Sequence, residues 1–163
     1  MRIFLIGMPG SGKTTIARNL AKELKYEYID LDGMIERDAK MFIEFIFEQY
    51  GEKKFRELET SALKKIDSDD VVVACGGGIV TNKENKVLMN GIKFYLDTDI
   101  EVIRKRLETD YQRPLLKTPS LEQLFDERFM KYQDFADRIV SNNYDVEETV
   151  KVILNYFKKE ENL

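Results

Sequence analysis

The chain of 163 residues contains no histidine and a single cysteine, Cys75. Without histidine it lacks the commonest general base and the commonest transition-metal ligand, so acid–base chemistry falls to carboxylates, lysine, arginine, tyrosine or metal-bound water. One cysteine rules out an internal disulfide, argues against a zinc site and is compatible with a reducing compartment. We expect Cys75 to be a packed core thiol.

Long apolar runs are also missing. No segment approaches the roughly 20 apolar residues of a membrane helix. The short apolar stretch after Arg2 runs directly into a glycine-rich motif, which indicates a first strand and not a signal peptide. We therefore expect a cytoplasmic protein. The net charge of −4 does not indicate a broad basic surface for nucleic acid, and the length favours one compact domain over residues 1–163.

Residues 7–14 read Gly-Met-Pro-Gly-Ser-Gly-Lys-Thr and fit the phosphate-binding P-loop pattern G-x-x-x-x-G-K-[ST]. An apolar run precedes them and a helical pattern follows, which is the context that the motif requires. In such a loop Lys13 reaches the β- and γ-phosphates, and the Thr14 hydroxyl binds Mg2+. The predicted ATP-binding residues are Gly10, Ser11, Gly12, Lys13, Thr14 and Thr15. A plain glycine-rich turn is the alternative.

Hydrophobic periodicity predicts strands that alternate with helices. The strands are expected at 2–6, 26–29, 71–75, 92–96 and 138–140, and the helices at about 13–25, 32–38, 42–47, 53–66, 83–89, 100–107, 121–132 and 146–157. This order predicts an α/β fold, a three-layer αβα sandwich around a five-stranded parallel sheet with ligands at its carboxyl edge. Segment 109–120, with Pro114 and Pro119, is the predicted mobile lid.

Asp30 and Asp32 follow the second predicted strand. In an extended segment two such residues project the same way. Beside a phosphate they suit Mg2+ contacts through water and the holding or deprotonation of an acceptor hydroxyl. The alternative is a solvated turn and helix cap, because aspartate favours N-cap positions.

The third predicted strand ends in Cys75 and three glycines, Gly76, Gly77 and Gly78, without the carboxylate that many P-loop enzymes place there. Three consecutive glycines are costly in chain entropy, so they indicate backbone that approaches another group closely. A small ligand is one candidate for that group, and a plain turn is the alternative.

Three arginines are candidates for anion binding. Arg128 shares the apolar face of its helix with Leu121 and Tyr132, so it needs an anion, a pocket or an ion pair with a carboxylate. Arg56, beside a phenylalanine, has the position of a surface residue. Arg113 lies in the proline-bounded segment, from which it could reach a transferring phosphate. A mobile surface loop is the alternative there.

Taken together, these motifs resemble those of shikimate kinases. The shared elements, in the family's order, are the P-loop 7–14, Asp30-Leu31-Asp32, Phe55-Arg56-x-x-Glu59, Gly76-Gly77-Gly78, Arg113-Pro114-Leu115-Leu116 and Arg128-x-x-x-Tyr132. The resemblance covers nearly the whole chain, and the elements beyond the P-loop are specific. It implies a fold like that of nucleoside monophosphate kinases and ATP-dependent phosphorylation of the 3-hydroxyl of shikimate, a step toward chorismate and the aromatic amino acids.

The resemblance also implies roles for individual residues. Shikimate would be bound by Asp32, Arg56, Gly76, Gly77, Gly78 and Arg128. The two arginines would hold its carboxylate, and Asp32 would bind ring hydroxyls, as a base or as a positioning group. The catalytic set would be Lys13, Asp32 and Arg113, with Mg2+ held by Thr14 and, through water, by Asp30.

The substrate-binding region would span about residues 32–60, with the aromatic cluster Phe42–Phe47 as a wall. The family often has an arginine near the adenine, in the loop after the last strand. Here that loop, 141–145, contains none, which leaves Tyr144 as the candidate for stacking on adenine.

Other functions compete with this interpretation. A gluconate or nucleoside monophosphate kinase would share the fold, and Arg56 and Arg128 leave gluconate open because it also carries a carboxylate. A GTP-dependent switch is disfavoured, since Asn82-Lys83-Glu84-Asn85 lacks the final aspartate of the guanine motif. A regulator that has lost catalysis is disfavoured by the intact phosphate-binding and carboxylate residues. No interface stripe stands out, so we expect a monomer.

Overall fold

A parallel sheet lies at the centre of the molecule. The computed structural model describes residues 1–108 and 120–161, without the side chains of 159–161. Within these residues the strands are β1 (Arg2–Ile6), β2 (Glu27–Asp30), β3 (Val71–Ala74), β4 (Ile92–Asp97) and β5 (Arg138–Ser141). All of them pair in parallel, in the order β2-β3-β1-β4-β5. The five predicted strands are therefore confirmed.

Helices cover both faces of this sheet. They are α1 (Lys13–Leu24), α2 (Leu31–Ala39), α3 (Ile43–Lys64), α4 (Glu84–Leu88), α5 (Ile100–Glu108), α6 (Leu121–Phe135) and α7 (Val146–Glu161), with a 3-10 turn at Ile79–Thr81. Gly51 lies between the predicted helices 42–47 and 53–66: its φ of 85° and ψ of 172° interrupt α3, which therefore consists of two helices joined at a kink. None of the described helices is long and apolar enough to span a membrane.

The core forms two layers because side chains alternate across each strand. On one face, Ile3, Leu5 and Val72 pack against α1 and α7. On the other face, Phe4 and Val73 pack against the remaining helices. The β-branched run of β3 is buried on both faces, as expected for an inner strand of a parallel sheet. The three-layer αβα architecture is confirmed over the described residues.

The register of the inner strands determines where the loops meet. Leu5 of β1 and Asp30 of β2 both pair with Ala74 of β3. Because parallel strands share one carboxyl edge, the three loops that follow these residues open onto the same cleft. These are the P-loop, the start of α2 and the triple-glycine turn.

Candidate active site

The P-loop turns from β1 into α1 through two glycines with positive φ. The φ angles of Gly10 and Gly12 are 81° and 90°, and residues with a Cβ rarely adopt such angles. Gly12 directly precedes α1, and no described side chain caps this helix end. The first-turn N–H groups of α1 can therefore donate to a phosphate. The strand–loop–helix context predicted for the motif is confirmed.

Lys13 places a cation against this loop. Its side chain is almost buried, with 8% exposed, and its Nζ donates to the carbonyls of Gly7 and Met8 at 2.8 and 2.9 Å. Ser11 is buried, Thr14 is half-buried and Thr15 is exposed. The ammonium group of Lys13 is thus held close to the N–H groups that would surround a phosphate.

The extended Asp-x-Asp segment predicted from the sequence is wrong. Strand β2 ends at Asp30 and α2 begins at Leu31, so Asp32 already lies in the first turn of a helix. Asp30 occupies the N-cap position, as the alternative interpretation expected, but its side chain accepts no capping hydrogen bond from the described residues.

The helix therefore separates the two carboxylates. The Asp30 carboxylate packs against Gly33. Burial raises the pKa of Tyr28, the Asp30 charge adds to the rise, and the Tyr28 hydroxyl also interacts with Thr14. Asp32 instead lies against the triple-glycine turn: a Cβ on Gly76 would be 2.9 Å from its Oδ1. Asp30 thus lies beside Tyr28 and Thr14, whereas Asp32 lies beside the glycine turn and Glu59.

The triple glycine is a place of close approach, as predicted, but the groups that approach it are the protein's own side chains. A Cβ on Gly76 would also lie 3.2 Å from Oε2 of Glu59, and one on Gly77 would lie 2.8 Å from the ring of Pro9. A Cβ on Gly78 would overlap the guanidinium of Arg56. None of the three has a positive φ, so space and not backbone conformation requires glycine here.

Glu59 is a site residue to which the sequence analysis assigned no role. Its side chain is completely buried, and its Oε1 accepts from Nη1 of Arg56 at 3.0 Å. Burial raises its pKa to about 7, although the charge of Arg56 opposes the rise, and the nearby Asp32 carboxylate adds to it. Glu59 lies four residues after Phe55 and therefore on the apolar face of α3. This spacing is the sequence signal that could have identified Glu59 as a buried residue of the site.

Arg56 is not the surface residue that its position in the sequence suggested. Its side chain is 17% exposed, and besides Glu59 it contacts the exposed Glu52 at 3.3 Å. Arg128 comes to the same place from α6, where its charge lowers the pKa of Glu59 and acts on Tyr132. Among the described residues Arg128 forms no salt bridge of its own. Two guanidinium groups thus converge beside the glycine turn.

The aromatic cluster predicted as a wall of the site lies in and before the first half of α3. Phe47 packs on Phe55 with ring centroids 4.8 Å apart. Phe42 and Phe45 are 65% and 42% exposed. The Phe47–Phe55 pair connects this cluster to Arg56, whose guanidinium lies 5.2 Å from the centroid of the Phe55 ring.

An arginine does lie against the loop after β5, but it comes from α5. The Arg106 guanidinium donates to the carbonyls of Ser11, Asn142 and Tyr144, at 2.8, 3.1 and 3.3 Å. Asn142, buried in this loop, donates to the same Ser11 carbonyl at 2.5 Å. Tyr144 itself is 70% exposed. Arg106 and Asn142 thus connect the P-loop to the loop after β5.

Arg113 and the rest of the predicted lid up to residue 119 lie outside the described residues. Among the described residues, no group of three histidine, cysteine, aspartate or glutamate side chains could hold a metal ion. A divalent cation held by the described side chains would take further ligands from a phosphate, water or hydroxyl oxygen.

The comparison with known families gives one clear match. The family model "Shikimate kinase" matches residues 9–158. A curated shikimate kinase from Prochlorococcus marinus is 43% identical over 96% of this chain and 85% of the relative. One from a Sulfurihydrogenibium species is 39% identical over 96% of this chain and 98% of its own length.

Solved structures agree with these sequence matches. Shikimate kinase from Acinetobacter baumannii, in complex with shikimate, superposes with a TM-score of 0.89 at 34% identity, over 98% of this chain and 93% of that one. The enzyme from Aquifex aeolicus gives a TM-score of 0.86 at 36% identity, over 99% and 98% of the two chains.

Proposed function

The chain belongs to the shikimate kinase family, and from this premise we propose how its residues transfer the γ-phosphate of ATP to the 3-hydroxyl of shikimate. The observation that carries the proposal is that two guanidinium groups, from Arg56 and Arg128, converge on a glycine turn that packs against Pro9 of the P-loop. The P-loop binds a phosphate donor, and paired arginines beside a wall of the cleft suit a small carboxylic acid.

The donor half consists of the P-loop and α1. Gly10, Ser11 and Gly12 bind the phosphates through backbone N–H groups, and Lys13 neutralises charge as the phosphoryl group moves. Thr14 and Thr15 complete this binding surface. The nucleoside lies toward Arg106 and the 141–145 loop, because these residues flank the far side of the P-loop.

The residues present fit a magnesium ion on the donor side. Asp30 and the Thr14 hydroxyl both interact with Tyr28, so two hard oxygen donors lie on the same side of the cleft, and Mg2+ prefers such ligands together with water and phosphate. Thr14 would bind the ion directly and Asp30 through water. When bound, Mg2+ would neutralise charge on the β- and γ-phosphates.

The acceptor half consists of α2, α3, α6 and the glycine turn. Arg56 and Arg128 bind the carboxylate of shikimate, and an entering carboxylate replaces the exposed Glu52 on Arg56 while the buried Glu59 stays in place. Asp32, on the glycine side of the cleft, binds the ring hydroxyls and aligns the 3-hydroxyl with the γ-phosphate. Gly76, Gly77 and Gly78 let the backbone of the turn lie close to Asp32 and Arg56, beside the bound acceptor.

Several broader expectations complete the proposal. The chain acts as one domain and as a monomer, in the cytoplasm. Arg113 supplies a second positive charge to the transferring phosphoryl group, and segment 109–120 excludes water from the cleft. The substrate-binding region comprises about residues 32–60.

A coupled assay of ADP release tests the reaction. Shikimate should support turnover, and gluconate and nucleoside monophosphates should not exceed the background rate of ATP hydrolysis. Turnover with gluconate alone would assign the chain to the competing small-metabolite kinase. Product analysis by 31P NMR identifies the phosphorylated hydroxyl.

The carboxylate site is tested by Arg128→Ala. Losing hydrogen bonds from a charged donor should raise the KM for shikimate by about 10- to 100-fold, with a smaller change in the KM for ATP. Lys131→Ala, an exposed substitution on the same helix, is the matched control and should leave both KM values unchanged. Full acceptor affinity in Arg128→Ala would overturn the assignment of this arginine.

A further inference from the structure

We propose that Tyr132 is a positioning residue for acceptor binding: its hydroxyl fixes the Gly77–Gly78 peptide of the glycine turn so that the Gly78 N–H faces away from α6 as a donor for the acceptor. This inference rests on the proposed function, because it deepens the role of the glycine turn in the acceptor half.

The hydrogen bond of Tyr132 crosses from α6 to the turn. The side chain is completely buried, and its hydroxyl donates to the Gly77 carbonyl at 2.6 Å. Burial raises the pKa of Tyr132 to about 12, against the opposing effect of the Arg128 and Arg56 charges. The hydroxyl therefore keeps its proton at neutral pH and remains a donor.

The carbonyls of all three glycines are held by the protein. Gly76 accepts from the N–H of Ile79 at 3.2 Å, and Gly78 accepts from the N–H and hydroxyl of Thr81 at 3.0 and 2.7 Å. Of these four hydrogen bonds, only the one to the Gly77 carbonyl comes from outside residues 76–81, from Tyr132 of α6. Tyr132 is thus the tertiary restraint on the middle of the turn.

Peptide planarity converts this restraint into the direction of a donor. In a trans peptide the C=O of one residue and the N–H of the next point in opposite directions. Holding the Gly77 carbonyl toward α6 therefore turns the Gly78 N–H away from α6. Gly78 is also the residue on which a Cβ would overlap the Arg56 guanidinium, so its peptide lies beside the proposed carboxylate site.

The same hydroxyl lies within the field of the charged groups of the acceptor half. Arg128, one helical turn before Tyr132, interacts with it, as do Arg56 and Glu59. The ring cannot easily move, since it stacks on Tyr95 with centroids 5.0 Å apart and planes at 17°. Tyr132 thus connects the orientation of the turn to the position of one arginine.

Tyr132→Phe removes the hydroxyl and keeps the stacked ring. We expect the KM for shikimate to rise about five- to tenfold, the value for losing one hydrogen bond. The kcat and the KM for ATP should change by less than about twofold. A loss of stability alone would not produce this separation of the two KM values.

Tyr95→Phe is the matched control. Tyr95 is 1% exposed and is the stacking partner of Tyr132, but its hydroxyl has no hydrogen-bond partner among the described residues. Tyr95→Phe removes an equally buried hydroxyl, so the KM values for shikimate and ATP should both stay at the wild-type level. Equal changes in the two variants would overturn the proposal, because they would come from the ring pair and not from the hydrogen bond to Gly77.

An NMR measurement separates this inference from the proposed function. In 1H–15N spectra of the ligand-free protein, the Gly78 amide signal should shift in Tyr132→Phe and stay in place in Tyr95→Phe. Titration of shikimate into the wild type should then shift the same signal. If wild-type enzyme binds shikimate without turnover, the proposed reaction fails while the positioning role stands. An unshifted Gly78 signal in Tyr132→Phe, or on saturation with shikimate, refutes the positioning role.

Discussion

Glu59 should make the stability of this enzyme fall as the pH rises. Its pKa in the folded chain is about 7, against an ordinary value of 4.5, because the carboxyl is buried beside Asp32. A carboxyl with a raised pKa binds its proton more tightly in the folded state than in the unfolded state. Its contribution to stability is therefore complete below pH 4.5 and is lost as the pH rises through about 7.

The magnitude follows from the two pKa values. With about 1.4 kcal/mol for each tenfold change in proton affinity, the contribution of Glu59 falls by about 2.5 kcal/mol between pH 5 and pH 8. Glu59→Gln keeps the shape of the side chain but cannot titrate, so it lacks this component. For a chain of this length the difference corresponds to about 5–10 °C in Tm.

Urea unfolding of wild type and variant, followed by far-UV circular dichroism at pH 5, 6, 7 and 8, measures this component. Subtracting the unfolding free energies of the two proteins cancels the titration of all shared groups. Wild-type stability relative to Glu59→Gln should decrease by about 2.5 kcal/mol across the series, with unchanged m-values.

Glu52→Gln is the control, because Glu52 contacts the same guanidinium of Arg56 but is 64% exposed. Its stability relative to wild type should vary by less than about 0.5 kcal/mol across the same pH range. A constant difference between wild type and Glu59→Gln from pH 5 to pH 8 would refute the reasoning that burial controls this carboxyl.

Three other substitutions test the remaining parts of the cleft. Gly78→Ala places a methyl group on the Arg56 guanidinium, so the KM for shikimate should rise roughly tenfold in steady-state assays while the KM for ATP stays within about twofold. Lys13→Ala should reduce kcat by at least about 100-fold, since a preorganised charge on the phosphoryl group is lost, with a cooperative thermal transition retained. Asn142→Ala removes a buried donor from the Ser11 carbonyl, so it should destabilise the fold by about 1–3 kcal/mol in urea and raise the KM for ATP severalfold.

Each of these substitutions has a matched control. Gly33→Ala adds a Cβ that would lie 3.4 Å from its nearest neighbour and should leave the KM for shikimate unchanged. Lys93 is 8% exposed, like Lys13, and also donates to backbone carbonyls, but Lys93→Ala should affect stability and not kcat. Asn85→Ala removes an equally buried donor, to the Ile79 carbonyl, and should destabilise the fold without altering the KM for ATP. Matching kinetic effects in variant and control would contradict the corresponding prediction.

Elements with a local signal were predictable from the sequence. The β-branched run of β3, the glycines of the P-loop and the helical spacing of α6 depend on neighbours within a few residues, and the structure confirms all three. Gly51 likewise interrupts α3 at the predicted position. The parallel sheet followed from the alternation of these elements, and with it the meeting of the loops at one edge.

Contacts between distant residues were not predictable in the same way. The Arg106 guanidinium donates to Ser11, which is 95 positions away in the chain. Nothing in the sequence pattern of α5 distinguishes Arg106 from the other charged residues of that helix. The separation of Asp30 from Asp32 depends on a helix that begins one residue earlier than expected. The role of Glu59 depends on the complete burial of its side chain. The sequence did not indicate this burial, because glutamate is rarely buried in proteins.

The single native thiol allows opening of the cleft to be measured without an introduced cysteine. Cys75 follows β3 and is 3% exposed, and burial raises its pKa. Thiol reagents attack an accessible thiolate, so modification of this cysteine must wait until the edge of the sheet opens. Lys13, Asp32 and Glu59 all act electrostatically on Cys75. The rate at which this thiol is modified in the native protein should therefore report how often the structure around these side chains opens. A cysteine introduced on the surface would react before it, and could carry a probe while the native thiol stays protected.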